Sequence, residues 1–330
     1  MPLDLHIVFQ VFITSTTSLL THYHSTQAHT PERDVSPLPS SSRKLQELST
    51  TVWGVNANYE IYYRQGTGGW TQVTGFLKQI SAAYSPTGVE SVWGINPLNN
   101  IYRRGTDGNG WTQITGNFHY VSVAYSPTGV ESVWALVPDT HHIYYYNGGS
   151  WTQSPGQLAQ LSVAYSPTGI ETVWGINRLN SVYYLSTGRA NPGNWQNFAT
   201  SLKHVSVAYS PAGVLTVWGI DTSDSIGYIQ GTTGEWTQVT GPTLKQVSVA
   251  YSPTGVETVW GADSSNNIFY RQGSGEWTQV TGSMTQVSLA FTEDSVVSSF
   301  IEYLNALRVS SHFVLDNTAR STTNHKQPYI

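Results

Sequence analysis

Short runs of alternating apolar and polar residues fill the middle of this chain, and the same runs return several times. In one copy Val121, Val123 and Tyr125 share one face while Ser122 and Ala124 share the other. That period of two predicts a strand, here called type A. Ser126-Pro127-Thr128-Gly129 follows it. Proline pre-sets φ and glycine accepts a positive φ, so this segment reads as a turn. A type B strand comes next, as in Thr258–Gly261. A loop rich in Asn and Asp then leads to type C, as in Ile61–Arg64, and a Gly-rich turn leads to type D, as in Trp70–Val73. Thr74–Lys78 links onward to the next type A strand.

All twelve tryptophans mark this pattern. Trp53, Trp93, Trp134, Trp174, Trp218 and Trp260 sit in type B strands, and Trp70, Trp111, Trp151, Trp195, Trp236 and Trp277 open type D strands. The members of a pair lie 17 to 21 residues apart, and the unit recurs every 40 to 44. Four short strands in a unit of that length predict one propeller blade, so the six units predict an all-β, six-bladed β-propeller. The repeats begin at a B strand, Thr51–Gly54, and end at an A strand, Gln286–Phe291. Pairing those ends would complete a split blade and remove the open sheet edges. A solenoid, or two half-sized sheets, are the other arrangements open to the same repeats.

The expected organisation is a propeller over residues 51–293 between two extensions. Within 1–50, Leu5–Leu20 is moderately apolar, but the residues before it carry Asp4 and no Lys or Arg. The segment therefore reads either as a weak secretion signal or as a disordered extension. Ser36–Ser42 is linker-like. In 294–330, Val297, Phe300, Ile301, Leu304 and Leu307 fall at helical spacing and predict one short helix followed by disorder.

Composition narrows the partners. Charged residues are 11% of the chain against 12% aromatic, so its surface must be polar chiefly through Ser, Thr, Asn, Gln and Gly. A net charge of −5 argues against a nucleic-acid partner and against adsorption to anionic lipid. The chain has no cysteine, which excludes disulfides and thiolate metal sites. No apolar run reaches the length of a transmembrane helix, so membrane insertion is not expected.

The recurring Val-Trp-Gly-x-Asn, Ile-Tyr-Tyr-Arg, Gly-x-Trp-Thr-Gln-Val and Val-Ser-Val-Ala segments resemble tectonin repeats over about residues 51–291. The likeness is to fungal tectonin lectins, with slime-mould tectonins, a horseshoe-crab lectin and fish-egg lectins as relatives. It implies a β-propeller lectin. The fungal members bind O-methylated glycans of bacteria and nematodes, of mannose or fucose type, as a defence. They lack a signal peptide, which implies a cytoplasmic protein; secretion is the alternative if the N-terminus acts as a signal. Self-assembly into a homo-oligomer is left open.

The residues themselves fit sugar binding. Sugars offer C–H faces to aromatic rings and hydroxyl rims to Asn, Asp or Arg. The candidate glycan-binding residues are Trp53, Asn56, Tyr63, Arg64 and Trp70 in the first unit, and Trp93, Asn96, Arg103, Arg104 and Trp111 in the second. Trp260, Asn267, Tyr270, Arg271 and Trp277 are their counterparts in the sixth. The type B Trp can be read as core packing or as a ligand platform; the type D Trp, on the outer edge, is better placed for a ligand. The type A Tyr (Tyr84, Tyr125, Tyr165, Tyr209, Tyr251) reads as core. The Glu of Glu90, Glu131, Glu171 and Glu257, replaced by Leu215 in one unit, reads as a turn or rim residue. The fourth position of strand C separates the units: Arg64, Arg104 and Arg271 in three, Tyr146, Leu185 and Ile229 in the others. Arg offers a planar set of donors where Leu and Ile offer none, so the three Arg-bearing units are expected to hold the better clefts.

An enzyme would need a constellation that breaks the repeat, and none is present: no Gly-x-Ser-x-Gly, no P-loop, no His-Glu-x-x-His. His141-His142 lacks a third ligand nearby and reads as an exposed loop pair. No catalytic residue, metal or cofactor is expected. The competing reading is a protein-interaction propeller without glycan binding, which would show one asymmetric patch instead of similar clefts around the ring.

Overall fold

A computed structural model describes residues 50–105 and 110–292. The expected N-terminal extension and C-terminal helix lie outside the described residues. Unit one holds β1 (Thr50–Val55), β2 (Glu60–Gln65) and β3 (Thr71–Phe76). Unit two holds β4 (Gln79–Tyr84), β5 (Glu90–Ile95), β6 (Asn100–Arg104) and β7 (Trp111–Asn117). Unit three holds β8 (Tyr120–Tyr125), β9 (Glu131–Leu136), β10 (His142–Tyr146) and β11 (Trp151–Gln157). Unit four holds β12 (Gln160–Tyr165), β13 (Glu171–Ile176) and β14 (Ser181–Leu185), then a 3-10 turn at Gly188–Ala190, then β15 (Gln196–Tyr209). Unit five adds β16 (Leu215–Asp221), β17 (Ile226–Gln230) and β18 (Thr237–Gln238). Unit six holds β19 (Leu244–Tyr251), β20 (Glu257–Asp263), β21 (Ile268–Gln272) and β22 (Thr278–Val280), and β23 (Gln286–Phe291) ends the series.

The result is an all-β propeller with antiparallel pairing. The strand order β23-β1-β2-β3 joins the two ends of the repeat region in one sheet, with Thr50 opposite Phe291 and Val55 opposite Gln286. One expectation needs correction. Instead of six separate four-stranded sheets there are four, and β12 to β18 form a single seven-stranded sheet. The cause is β15, whose first part pairs with β14 and whose second part pairs with β16. In four of the other five units the link from D to A contains a glycine at positive φ, namely Gly75, Gly116, Gly156 and Gly282, and in unit five Gly241 holds the place. Thr200 stands at that place in unit four. A β-branched residue keeps the backbone extended, so the strand runs on.

Some inner strands are buried on both faces; β8 is buried from Val121 to Ala124 and β23 from Val287 to Ala290. Their serines face the next inner strand. The backbone N–H of Ala82, Val123, Val163, Val207, Val249 and Leu289 donates to Ser288, Ser81, Ser122, Ser162, Ser206 and Ser248 Oγ respectively, at 3.0–3.1 Å. These six bonds run from one inner strand to the next and return to the start. Glutamine strengthens four of the junctions: Gln79, Gln160, Gln246 and Gln286 each pair their side-chain amide with a neighbouring backbone N–H and C=O. His204 replaces Gln at the junction of units five and six. Its Nδ1 has no partner, and burial lowers its pKa to about 4.

Candidate functional site

Each type B tryptophan lies where one unit meets the next. Trp53, Trp93, Trp134, Trp174 and Trp218 are at most 1% exposed and Trp260 is 4% exposed. Trp53, Trp93 and Trp260 are therefore core, not open platforms: their rings are already covered. The type C Tyr of the same unit packs on the ring, as in Trp53–Tyr63 at 5.2 Å and Trp260–Tyr270 at 5.2 Å between centroids. In unit two Arg103 takes that place, 5.8 Å over Trp93.

The following unit covers the ring from its other side. Arg104 lies 5.2 Å over Trp53, Arg64 5.5 Å over Trp260 and Arg271 5.7 Å over Trp218. Tyr146 meets Trp93 in the same way, while Leu185 and Ile229 join the clusters holding Trp134 and Trp174. The type D Trp of the following unit approaches edge-on, as in Trp70–Trp260 at 6.4 Å and Trp277–Trp218 at 6.3 Å. Trp111 packs in the cluster of Trp53. Trp70 Nε1 donates to the Thr281 carbonyl at 2.9 Å and Trp111 Nε1 to the Thr74 carbonyl at 3.0 Å. A Cβ on Gly75 would stand 3.1 Å from Trp111 Nε1, so glycine there also makes room for this ring.

The candidates thus assemble across units, not within them. Arg64 and Trp70 gather with Trp260 and Tyr270, and Arg104 and Trp111 with Trp53 and Tyr63; Arg271 and Trp277 gather around Trp218, which was not a candidate. Asn56, Asn96 and Asn267 stand apart, in the turn between strands B and C, at the other end of the strand from Arg64. Asn56 Oδ1 accepts from the N–H of Asn58 and Glu60, and Asn96 Oδ1 from Leu98 and Asn100, at 2.9–3.0 Å. Asn267 Nδ2 donates to Asp263 Oδ2 at 2.8 Å. These side chains build the turn, as such residues commonly do.

The glutamates are interface residues, not turn residues. Trp53 Nε1 donates to Glu90 at 2.8 Å, Trp93 Nε1 to Glu131 at 3.0 Å and Trp134 Nε1 to Glu171 at 3.0 Å. Leu215 stands at this position in unit five, and Trp174 Nε1 is left without a partner. The type A Tyr is half-buried, and its hydroxyl joins the same network, as in Tyr84 to Glu90 at 2.9 Å.

One of these clefts opens between units three and four. It encloses about 690 Å³ and is lined by Tyr145, Asn147, Tyr165, Ile170, Glu171, Thr187 and Arg189, among others. Arg189 Nε lies 3.3 Å from both Glu171 oxygens, its backbone N–H donates to Oε2 at 2.7 Å, and its Nη2 donates to Tyr165 at 2.9 Å. Burial would lower the Arg189 pKa, but the Glu171 carboxylate and the Tyr165 phenol together outweigh it and raise it. Burial, and then Glu171, push the Tyr165 phenol up, so it stays neutral. Arg189 was not a candidate. Its signal was the longer Trp174–Trp195 spacing, where the extra residues carry the arginine that strand C lacks in this unit.

His141 and His142 do not act together: His141 sits in the turn at φ 56° and stacks edge-on with His119 at 5.1 Å, while His142 starts β10. Among the described residues no three or more His, Asp and Glu are grouped to hold a metal.

The Tectonin domain matches residues 36–135, 86–250 and 211–297. The chain belongs to the Tectonin domain family. No curated protein matches this tectonin chain. Among solved structures it is similar to a triple arginine-to-alanine mutant of AofleA from Arthrobotrys oligospora, at 12% identity and a TM-score of 0.52 over 74% of this chain and 86% of that one. It is also similar to the lectin of Aleuria aurantia, described as a six-bladed β-propeller with a novel fucose recognition mode. That likeness has 15% identity and a TM-score of 0.51, over 71% of this chain and 90% of that one. Both likenesses show a shared propeller fold.

Proposed function

We propose that this tectonin protein is a carbohydrate-binding lectin whose sugar sites are the clefts between neighbouring units. On this reading the seven-stranded sheet counts as two blades joined through β15, making six in all. The observation that carries the reading is the cleft of units three and four. Its volume of about 690 Å³ suits a small ligand. Tyr145 and Tyr165 supply aromatic surface for C–H faces. Arg189 has five donors and commits only Nε and part of Nη2 to Glu171 and Tyr165, which hold it in place for a sugar hydroxyl rim. The clefts capped by Arg64, Arg104 and Arg271 form a second set. Similar aromatic clefts recurring from unit to unit favour a lectin over an interaction scaffold with a single patch, and binding without turnover over catalysis.

O-methylated fucose or mannose glycans of bacteria or nematodes, met in a cytoplasmic defence role, are the ligands the family resemblance adds. Ile170, Gly169 and Ala190 give the large cleft an apolar side for such a methyl group. Burying one methyl contributes about 0.8 kcal/mol, roughly fourfold in affinity. The test is calorimetry with methylated and unmethylated fucosides and mannosides. Saturable binding, weakened about tenfold by Arg189→Leu, is expected. Absence of binding to every glycan on an array, with a protein partner recovered instead, would overturn it. Arg64→Leu, Arg104→Leu and Arg271→Leu test the second set; unchanged stoichiometry in all three removes it.

A further inference from the structure

The glutamate three residues before a type B Trp is kept in four units, as Glu90, Glu131, Glu171 and Glu257, and lost in two. Leu215 replaces it between units four and five, and Thr50 at the seam between units six and one. At the seam Trp260 Nε1 and Thr258 Oγ1 have no hydrogen-bond partner, and both residues line a cavity of about 30 Å³. Where the glutamate is kept, it meets an arginine in two clefts among the described residues: Arg189 between units three and four, and Arg103 between units two and three. The two arginines reach the same kind of partner from different places. Arg189 comes from the insertion after strand C of the following unit. Arg103 stands in strand C of the preceding unit, at the position held elsewhere by Tyr63, Tyr145, Tyr184, Tyr228 and Tyr270.

The cleft of units two and three repeats the chemistry of its neighbour with one difference. Arg103 Nη2 lies 3.1 Å from Glu131 Oε2. Glu131 Oε1 accepts from Trp93 Nε1 at 3.0 Å and from Ser91 Oγ. Burial, and then Glu131, raise the pKa of the Tyr125 phenol against the pull of Ser91 and Arg103, so Tyr125 joins the group as a neutral hydroxyl. A carboxylate offers about four acceptor positions, and these contacts leave one open on Glu131 Oε2. Glu171 has none to spare. Ser132 and Trp134 take its Oε1, the Arg189 backbone N–H takes its Oε2, and Arg189 Nε lies 3.3 Å from both. Exposure follows the same order: the side chains of Arg103 and Glu131 are 39% and 19% exposed, against 20% and 7% for Arg189 and Glu171. Tyr146, half-buried, meets Trp93 at 5.5 Å between centroids, and the exposed Val130 stands next to Glu131.

We propose that the cleft of units two and three is a sugar site of its own, selective for a neutral sugar that presents two adjacent free hydroxyls. This rests on the lectin reading and gives one of its clefts a distinct ligand class. One hydroxyl donates to the open position of Glu131 Oε2, and its neighbour accepts from a guanidinium N–H of Arg103 that Glu131 and Tyr125 leave unused. Such bonds to charged groups are the stronger ones. Tyr146 and Val130 bound the site with aromatic and apolar surface for the C–H groups of the sugar. Because Glu131 already balances the charge of Arg103, an acidic sugar gains nothing here. A methyl ether at the first hydroxyl removes the donor and leaves the Glu131 oxygen unmet. The cleft of units three and four, whose carboxylate is filled, makes no such demand.

The test is an NMR titration of the full chain labelled with nitrogen-15 in its tryptophans. Trp93 Nε1–H is bonded to Glu131 and Trp134 Nε1–H to Glu171, so each indole signal reports on one cleft. Methyl α-L-fucoside and methyl α-D-mannoside are neutral and carry adjacent free hydroxyls. At least one is expected to move the Trp93 signal, and the same glycoside with every hydroxyl methylated is expected to bind there roughly tenfold more weakly. Arg103→Tyr restores the residue of the other five units and is expected to fold, which thermal unfolding checks. It should silence the Trp93 response and leave that of Trp134 as it was. A Trp93 signal that stays still while Trp134 responds overturns this inference alone. So does equal affinity at Trp93 for the free and the methylated glycoside, or a folded Arg103→Tyr variant whose Trp93 response is unchanged. If no sugar moves any indole signal, the lectin reading falls with it.

Discussion

The cleft of units three and four and the cleft at the seam come from one repeat, yet their floors are opposite in character. In the first, Glu171 is 7% exposed and gathers Trp134, Ser132 and Arg189. In the second, Thr50 replaces that glutamate and two donors face a small void. The residue three positions before a tryptophan therefore sets whether the interface has a carboxylate that can gather its neighbours. The largest test of this contrast is Glu171→Ala. It strips a carboxylate from a buried ion pair and leaves its donors unmet, so denaturant unfolding is expected to show a loss of about 3–5 kcal/mol. A loss under 1 kcal/mol would mean that the network does not hold the interface.

A smaller effect separates the two kinds of tryptophan. Trp53→Phe removes an indole N–H bonded to Glu90, whereas Trp260→Phe removes one that has no partner. Both lose packing, but the first is expected to cost about 1–2 kcal/mol more. Equal costs would show that the seam indole is satisfied in solution.

The smallest effect lies in the inner ring, where the Gln-bridged junctions contrast with the one at His204. His204→Gln is expected to add about 1 kcal/mol at neutral pH by supplying the missing amide bridge. It also changes the pH response. The folded pKa of about 4 lies below the ordinary 6.5, so the unfolded chain takes up its proton first as pH falls. Stability is thus complete above pH 6.5 and declines as pH drops toward 4. The Gln variant should lack this part of the decline, and an unchanged slope in thermal unfolding across that range would refute the assignment.

Much of the fold was legible in the chain. The tryptophan spacing set the repeat, and the mismatch between its first and last strands foretold that β1 and β23 would pair. The sheet count was not so legible. Thr200 in place of a glycine is a one-residue change, and its effect on the backbone appears only when strands pair on both sides of it. The site was harder still. Arg64 belongs in sequence with Trp53 but packs on Trp260, because strand C turns its fourth side chain toward the preceding unit. Asn56 and Asn96 looked like sugar contacts and are turn residues, since an Asx side chain meets its nearest backbone N–H first. Glu90 and its counterparts looked peripheral because their partners are about one repeat away. Arg189 was hidden by its place in an insertion, outside the pattern that made the other arginines visible.

The pairing of β1 with β23 also has a kinetic meaning. These strands stand at opposite ends of the repeat region, so their pairing requires the longest loop closure in the propeller and is expected to form late in folding. Until it does, β1 and β23 are both bare edges with matching registers. At high concentration during refolding, β1 of one molecule can meet β23 of another, giving strand-exchanged chains in place of closed rings.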